Sequence, residues 1–179
     1  RAIFINESGF NNPDIQSIGK IVAENLKKEN FDLVLSGLQS DDGGNGQLGL
    51  ILAELLDMTH ASLVMGTDVL NESSIKVKRE LESGWFQWVE LDLPASISIQ
   101  SGINTPRYAS LKGIMAMKKK TIDKFSHEDF HSVSSEPKTH MEQMYIPRKS
   151  KETVFVDGSP AEISEKLADI FANEIRVLG

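Results

Sequence analysis

The first 65 residues alternate between short apolar runs and longer segments whose apolar side chains recur at helical spacing. Arg1–Asn6, Phe31–Gly37 and Ala61–Met65 are short and apolar, as buried strands are. Between them, residues 13–30 and 46–58 place apolar side chains three or four positions apart, which predicts two amphipathic helices. Strand, helix, strand, helix, strand is the order of a doubly wound α/β fold, so we expect a mostly parallel sheet.

A β-hairpin insertion is predicted in the middle of the chain. Ser74–Leu81 and Trp85–Leu91 resemble strands in composition, and Glu82-Ser83-Gly84 between them has turn character. The alternation along the second strand predicts that four side chains share its covered face: Trp85, Gln87, Val89 and Leu91. Two further strands are expected at 95–100 and 121–125.

The C-terminal part is expected to be an extended arm that ends in a helix. Residues 126–150 are polar and irregular, which is typical of a linker rather than of packed core. Ser159-Pro160-Ala161-Glu162 is a capping box with proline at the first helical position. We therefore divide the chain into an α/β domain at 1–125 and an arm with a helix at 126–179, which packs on that domain or on a partner subunit. We also expect an N-terminal part of the domain to precede Arg1, because a strand already begins there.

Composition narrows the classes of function. The chain has 179 residues, a formal net charge of −7 and no cysteine. Without cysteine it has no disulfide, thiolate nucleophile or cysteine-ligated metal, which fits a reducing compartment. The acidic balance argues against a nucleic-acid-binding protein. No apolar run reaches the roughly 20 residues that a membrane-spanning helix needs, so direct membrane insertion is not expected.

One positively charged segment contrasts with this acidic background. It runs from Pro106-Arg107-Tyr108 through Leu111, Ile114 and Met115 to the triple lysine at Lys118, Lys119 and Lys120. A cationic patch beside apolar side chains steers an incoming partner, so the segment predicts a docking site. The alternative is a loop with a solvated charge run.

A glycine-rich stretch before the second helix predicts an anion site. Gly44-Asn45-Gly46-Gln47-Leu48-Gly49 matches G-x-G-x-x-G, and Asp68 follows about 20 residues later, as in dinucleotide-binding folds. However, Leu38–Gly43 separates the motif from the preceding strand, which makes the loop too long for the usual pyrophosphate turn. Backbone N–H groups at a helix start still suit a phosphate. An NAD(P)-binding oxidoreductase domain, a stand-alone nucleotide-binding α/β domain and a simple turn are the alternatives.

A zinc-protease pattern is present but lacks the helix that such a site requires. His127-Glu128-Asp129-Phe130-His131 matches H-E-x-x-H, whose two histidines must share one face of a long helix. Here a strand precedes the motif and serines follow it, which leaves room for one helical turn capped by Ser126. We therefore predict no metal site.

Several of these motifs, in this order, resemble the β subunit of electron transfer flavoproteins. The acidic, glycine-rich stretch 37–49 is similar to the nucleotide loop of that family. Residues 99–104 lead into Pro106-Arg107-Tyr108 as they do there, and Met144-Tyr145-Ile146-Pro147 resembles the bacterial branch that serves methylated-amine dehydrogenases. The resemblance covers essentially the whole chain.

The resemblance implies an adenine nucleotide α-hydrolase-like fold and an electron carrier subunit, not an enzyme, without a catalytic residue. It implies a heterodimer whose α subunit holds most of the redox-active FAD, while this chain binds AMP or, in the electron-bifurcating branch, a second FAD. Leu48 departs from members with a hydroxyl residue at that position. The positions carried over to the nucleotide are Gly37, Gln39, Ser40, Asp42, Gly43, Gly44, Asn45, Gly46, Gln47 and Leu48.

The resemblance also implies what the cationic segment docks. Residues 99–121 correspond to a recognition loop in which Leu111 is the apolar anchor, inserted into a dehydrogenase such as an acyl-CoA or methylated-amine dehydrogenase. The implied location is the bacterial or archaeal cytoplasm, or the mitochondrial matrix in a eukaryote. The positions carried over to docking are Pro106, Arg107, Tyr108, Leu111, Ile114, Met115, Lys118, Lys119 and Lys120.

Overall fold

The computed structural model describes residues 1–6, 9–10, 13–130, 133, 136–147 and 153–175. The chain forms two compact units, Arg1–His140 and Met141–Gly179. The division at 125/126 stays a prediction. In chain order the elements are β1 (Ala2–Ile5), α1 (Ile15–Leu26), β2 (Leu33–Gly37), α2 (Leu48–Leu56), β3 (Thr59–Asn71), β4 (Ser74–Glu80), β5 (Phe86–Asp92), β6 (Ala95–Ile99), α3 (Leu111–Met117), β7 (Ile122–Phe125) and α4 (Pro160–Asp169).

A five-stranded sheet in the order β2-β6-β3-β4-β5 forms the centre of the first unit. β2 and β3 run parallel to β6, whereas β4 and β5 extend the sheet in antiparallel fashion. Helix α2 packs on the parallel strands and α1 packs against α2. The buried core consists of Ala61, Val64, Ile75, Val77, Leu91, Ala95 and Ile97. The predicted α/β fold with a hairpin insertion is confirmed.

Strand β3 is much longer than the predicted Ala61–Met65. Its first half pairs with β6, and its second half pairs with β4. A bulge separates the halves, and Leu63 takes a left-handed φ of 57° there. Arg79 Nε donates a hydrogen bond of 3.1 Å to the Ser62 carbonyl oxygen beside the bulge. The hydrophobic pattern missed the second half because its polar side chains lie in solvent.

The edges of this sheet expose more apolar surface than the sequence predicts. Val89 and Leu91 do lie on the covered face of β5, but Trp85 and Gln87 are exposed, so the predicted four-residue covered face is wrong at its first half. The reason is that β5 is an edge strand whose first residues extend beyond the core. At the opposite edge, Leu35 of β2 is also exposed.

A second, two-stranded parallel sheet pairs β1 with β7. Phe130 lies in a 3₁₀ turn just after β7, and its ring centroid is 6.1 Å from that of Phe125 and 6.3 Å from that of Phe10. Phe130 is buried. The prediction that residues 126–150 lack packed core is therefore wrong at Phe130, because a single aromatic side chain inside a polar stretch gives no periodic signal.

The second unit contains a capped helix. The Ser159 hydroxyl accepts from the Glu162 N–H, while the Glu162 carboxylate accepts from the Ser159 N–H at 2.8 Å. Helix α4 continues into a wider π-helical stretch at Ile170–Glu174. The predicted capping box and terminal helix are confirmed. Among the residues described in either unit, no helix has the length and apolarity to cross a membrane.

Candidate functional site

The predicted nucleotide loop lies between the end of β2 at Gly37 and the start of α2 at Leu48. The long connection inferred from the sequence is confirmed. Gly44 and Gly46 have φ values of +60° and +63°. Such left-handed conformations are strained for residues with a Cβ, so glycine is required for this path of the loop. The path carries the chain from the sheet edge into the first turn of α2.

Hydrogen bonds within the loop hold Asp42 in its ionised form. Its Oδ1 accepts from the Gly43 N–H at 2.6 Å, and the Gly44 N–H donates to the Ser40 carbonyl oxygen at 3.0 Å. The Ser40 hydroxyl and then the Gly43 N–H lower the pKa of Asp42. The Asp42 carboxylate therefore stabilises the first half of the loop. The second half, at the start of α2, is the candidate anion site.

The first turn of α2 has the properties of a phosphate site. The Leu50 N–H donates to the Gln47 carbonyl oxygen at 3.1 Å, whereas the N–H groups of Leu48 and Gly49 have no acceptor within the helix. The helix dipole places partial positive charge there. Gln47 precedes the helix without a capping hydrogen bond from its side chain. A Cβ on Gly49 would lie 2.5 Å from Ser36 Oγ and 3.4 Å from Ser98 Cβ. Glycine at this position thus lets the helix start approach the sheet closely.

Two serine hydroxyls lie beneath this helix start. Ser36 of β2 and Ser98 of β6 are directly paired across the parallel strands. Both Oγ atoms are buried, and neither has a hydrogen-bond partner among the described residues. The neighbouring Ser96 Oγ donates to the Gly49 carbonyl oxygen at 2.8 Å. Buried hydroxyls normally have a hydrogen-bond partner, so the Ser36 and Ser98 hydroxyls can donate to an acceptor atom of a ligand bound at the helix start.

A cleft of about 650 Å³ opens at the carboxyl ends of β2 and β6. In open α/β sheets, ligands bind in this position. Gly37 and Gln39 line it from the nucleotide loop, and Gln100 and Asn104 line it from the segment after β6. The remaining predicted loop residues do not line this cleft. The loop geometry, the free N–H groups and the buried hydroxyls fit a phosphate-bearing nucleotide.

The predicted docking segment contains a short helix where the sequence resemblance implies a loop. Ser110 caps α3, its hydroxyl accepting from the Gly113 N–H at 3.1 Å. Every residue from Asn104 to Thr121 is exposed, and 76% of Leu111 is accessible. A helix that covers no core with its leucine, isoleucine and methionines has an unpartnered apolar surface.

The docking segment joins this apolar surface to a cationic end. Ile114 and Met115 follow Leu111 on α3, and Pro106, Arg107 and Tyr108 precede the helix. The three lysines at 118–120 come directly after the helix, where positive charge interacts favourably with its dipole. The structure therefore brings the predicted docking residues together on one exposed segment after β6.

The zinc-protease pattern lies on a turn that is shorter than the helix such a site requires. His127–Phe130 is a single 3₁₀ turn, as predicted, and His131 lies outside the described residues. Among described residues no group of three or more histidines or acids can hold a metal. Asp68 lies on the antiparallel half of β3, where it pairs in register with Lys76 of β4.

Sequence reasoning missed the serines beneath α2 and the role of Gln100. Gln100 Nε2 donates to Glu80 Oε2 at 2.7 Å, and its Oε1 accepts from the Ser101 N–H at 2.9 Å. These bonds fix the point at which the chain leaves β6 for the docking segment. The only signal for the serines was their position inside apolar strands.

Comparison with known proteins decides the family. Residues 1–130 match the model of the electron transfer flavoprotein domain. The chain is 32% identical to electron transfer flavoprotein subunit beta of Bacillus subtilis, over 99% of this chain and 70% of that protein. It is 33% identical to the subunit of the same name from Methylophilus methylotrophus, over 98% and 68%. A probable subunit beta from Saccharomyces cerevisiae is 31% identical, over 94% and 64%.

The chain belongs to the electron transfer flavoprotein family. It is a β subunit, which makes it part of an electron carrier that works with an α subunit and dehydrogenases, and not an enzyme. Relatives from Oryza sativa are named as mitochondrial β subunits and are 33% identical over 90% of this chain. Membership of this family takes the place of two alternatives from the sequence, an NAD(P)-binding oxidoreductase domain and a stand-alone nucleotide-binding α/β domain.

Proposed function

We propose that this electron transfer flavoprotein β subunit binds AMP at the loop 37–48 and docks dehydrogenases through the docking segment 106–120. The observation that carries the proposal is the exposure of α3, since an apolar helix without core contacts needs a partner. In this view the chain supplies geometry, and the redox chemistry belongs to FAD held mainly by the α subunit.

The docking segment has the properties that a short-lived complex needs. Leu111, Ile114 and Met115 offer a small apolar contact, which limits the lifetime of the complex. The lysines at 118–120 accelerate the encounter with an acidic rim. A carrier must release one partner before it meets the next, so a small apolar anchor with a charged border suits the task. Acyl-CoA and methylated-amine dehydrogenases are the proposed partners.

The nucleotide proposal rests on the start of α2. AMP has a phosphate for the N–H groups at Gly46, Gln47 and the first turn, and the buried Ser36 and Ser98 hydroxyls can add donors. Leu48 offers no hydroxyl, which also suits a second FAD. We favour AMP because the candidate phosphate site at the helix start lies beside the cleft of about 650 Å³. AMP supplies no redox chemistry and would stabilise the loop.

The second unit is proposed to contact the α subunit. Its segment 141–147 and the residues before α4 expose large apolar side chains, among them Met144, Tyr145, Ile146 and Phe155. Exposed apolar side chains at this density are typical of a surface that a permanent partner covers. The proposed location is the bacterial or archaeal cytoplasm, or the mitochondrial matrix.

Replacement of the anchor tests the docking proposal. In a purified heterodimer, Leu111→Ala should lower the second-order rate of flavin reduction by a substrate-reduced dehydrogenase about 10-fold or more, because burial of a leucine is worth about 1.5–3 kcal/mol. Stopped-flow absorbance measures this rate, with a methylated-amine and an acyl-CoA dehydrogenase as the two donors.

Met117→Ala is the matched control. Met117 lies on the same helix and is 63% exposed, against 76% for Leu111, but it is not among the proposed anchor residues. Its rate should stay within about threefold of the wild type, since a lone exposed methionine contributes little. Equal rates for Leu111→Ala and the wild type with both donors would remove Leu111 from the docking site.

A further inference from the structure

The helix of the docking segment, α3, contains two methionines with nearly equal exposure on different sides of the helix. Met115 is 61% and Met117 63% accessible, and the whole stretch from Asn104 to Thr121 is exposed. Successive residues of an α-helix are about 100° apart around its axis, so these two side chains lie about 160° from each other. Solvent therefore reaches both sulfur atoms, although the two side chains lie on different faces.

Met115 shares its face of α3 with the proposed anchor. It lies four positions after Leu111, and Ile114 lies three positions after the same leucine. Side chains at these spacings are neighbours on one helix face. Met117 lies six positions after Leu111, which places it about 120° away around the helix. Met115 is therefore the methionine of α3 that a partner held by Leu111 would cover.

The thioether of an exposed methionine can be oxidised, and this chain has no cysteine thiol that would react in its place. Hydrogen peroxide is the co-reactant. It transfers one oxygen atom to the sulfur, so that its O–O bond breaks and an S–O bond forms. The sulfur is oxidised by two electrons, and the peroxide is reduced and leaves as water. The product, methionine sulfoxide, is polar, and reductases convert it back to the thioether.

Position distinguishes Met115 from the other methionines, because exposure alone does not. Met141 and Met144 in the second unit are 74% and 80% accessible, which is more than Met115. Only Met115 lies beside Leu111 and Ile114 in the small apolar contact proposed for docking. A methionine there offers flexible apolar surface. Its sulfoxide would instead bring an oxygen atom that has to be desolvated when a partner docks, which costs free energy.

We infer that Met115 is an oxidative modification site, and that its conversion to the sulfoxide weakens the docking of dehydrogenases. This inference rests on the proposed function, because it takes α3 as the helix that contacts the dehydrogenase. It adds a reversible control of electron uptake: peroxide lowers the rate at which the carrier is reduced, and sulfoxide reduction restores it. Met117 is oxidised without this consequence, because it lies outside the contact.

Graded peroxide treatment of the purified, FAD-loaded heterodimer tests the inference. Catalase stops each reaction, and a tryptic digest is analysed by mass spectrometry. Both methionines lie between Lys112 and Lys118, so fragment ions assign the added oxygen to one sulfur or the other. Stopped-flow absorbance then measures flavin reduction by a substrate-reduced dehydrogenase. We expect the second-order rate to fall about fivefold or more, in proportion to the sulfoxide fraction at Met115.

Met115→Leu and Met117→Leu are a matched pair of variants, because leucine keeps the apolar volume and has no sulfur. Each treated variant is compared with its own untreated rate, so that oxidation elsewhere in the heterodimer affects both alike. Met117→Leu should lose as much of its rate as the wild type, whereas Met115→Leu should keep its untreated rate within about twofold. Methionine sulfoxide reductases should restore the rate of the oxidised wild type.

The outcomes separate this inference from the proposed function. Equal loss of rate in Met115→Leu and the wild type would overturn the inference. So would complete oxidation of Met115 without loss of rate, or oxidation of Met117 that leaves Met115 unmodified. If Leu111→Ala slows flavin reduction while oxidation of Met115 does not, the docking function stands without this control. If Leu111→Ala leaves the rate unchanged, the docking proposal falls and the inference falls with it.

Discussion

Gly46 is the residue at which backbone conformation and ligand binding meet. Its φ is +63°, and it directly precedes Gln47, the N-cap residue of α2. A Cβ in this conformation costs about 1–2 kcal/mol. We predict that Gly46→Ala leaves the heterodimer folded but lowers its AMP content at least severalfold, as measured by chromatography of the nucleotides released on denaturation.

Gly84→Ala is the control for backbone strain. Gly84 also has a positive φ, +77°, in the turn between β4 and β5, and a Cβ there would meet open space. Both variants should lose comparable stability, but Gly84→Ala should keep its AMP. Full AMP content in Gly46→Ala would show that the loop path is not needed for the nucleotide.

Asp14 makes the first unit sensitive to acid. Its carboxylate accepts from the Ser17 N–H at 2.8 Å and from the N–H groups of Lys138 and Thr139 at 2.7 and 3.0 Å. The bond from Ser17, followed by the others, holds the pKa of Asp14 well below its usual range. Because the folded pKa lies below the unfolded one, the carboxylate stabilises the fold above about pH 4 and loses this effect as the pH falls further.

Because the folded-state pKa of Asp14 is lowered, its contribution to stability should depend on pH. Asp14→Ala should lower the urea midpoint of unfolding at pH 7, and the difference from the wild type should shrink at pH 3. Asp14→Asn keeps an acceptor oxygen without the charge. Its urea midpoint at pH 7 should therefore lie between those of Asp14→Ala and the wild type. A difference of the same size at both pH values would contradict the charge-dependent role.

Single residues were the scale at which the sequence was least informative. The sequence predicted the glycines of the loop, because left-handed backbone positions favour glycine and glycine can be read directly from the sequence. It could not predict the hydrogen bonds of Asp14 to residues 138–139 or the burial of Phe130, since both join segments far apart in the chain. Ser36 and Ser98 were equally hidden, because their pairing depends on the register of β2 with β6.

At the scale of elements, α3 combines apolar side chains with charge at its C-terminal end. We predict that replacing Lys118, Lys119 and Lys120 by glutamine lowers the association rate with a dehydrogenase about 10-fold at low ionic strength. The reason is that the lysines steer the encounter, whereas the apolar contact is kept.

Stopped-flow reduction over a series of salt concentrations measures the effect. The rates of the variant and the wild type should converge at about 0.5 M salt, where charges are screened beyond a few ångströms. A wild-type rate that does not change with salt would contradict the steering role of these lysines.

The elements themselves were largely predictable. Periodicity placed α1, α2 and the hairpin correctly, and the capping box placed the start of α4. The errors occurred where periodicity carries no information. β3 was too short because its second half turns polar side chains to solvent, and α3 was expected as a loop because it packs against no core that would impose a pattern.

At the scale of the whole molecule, binding surfaces occupy separate parts of the chain. The cleft lies at the ends of β2 and β6, and the docking helix α3 follows β6. The described residues provide no metal-binding cluster, and the sequence has no cysteine. The separation of the cleft from the docking helix suits the proposed role of a subunit that positions partners around a nucleotide.

The nucleotide content of the purified heterodimer tests this account most directly. The complex is denatured, and the released nucleotides are separated and counted against the protein. The account predicts one FAD and one AMP for each heterodimer. Two FAD molecules, or one FAD without AMP, would contradict the assignment of loop 37–48 as an AMP site.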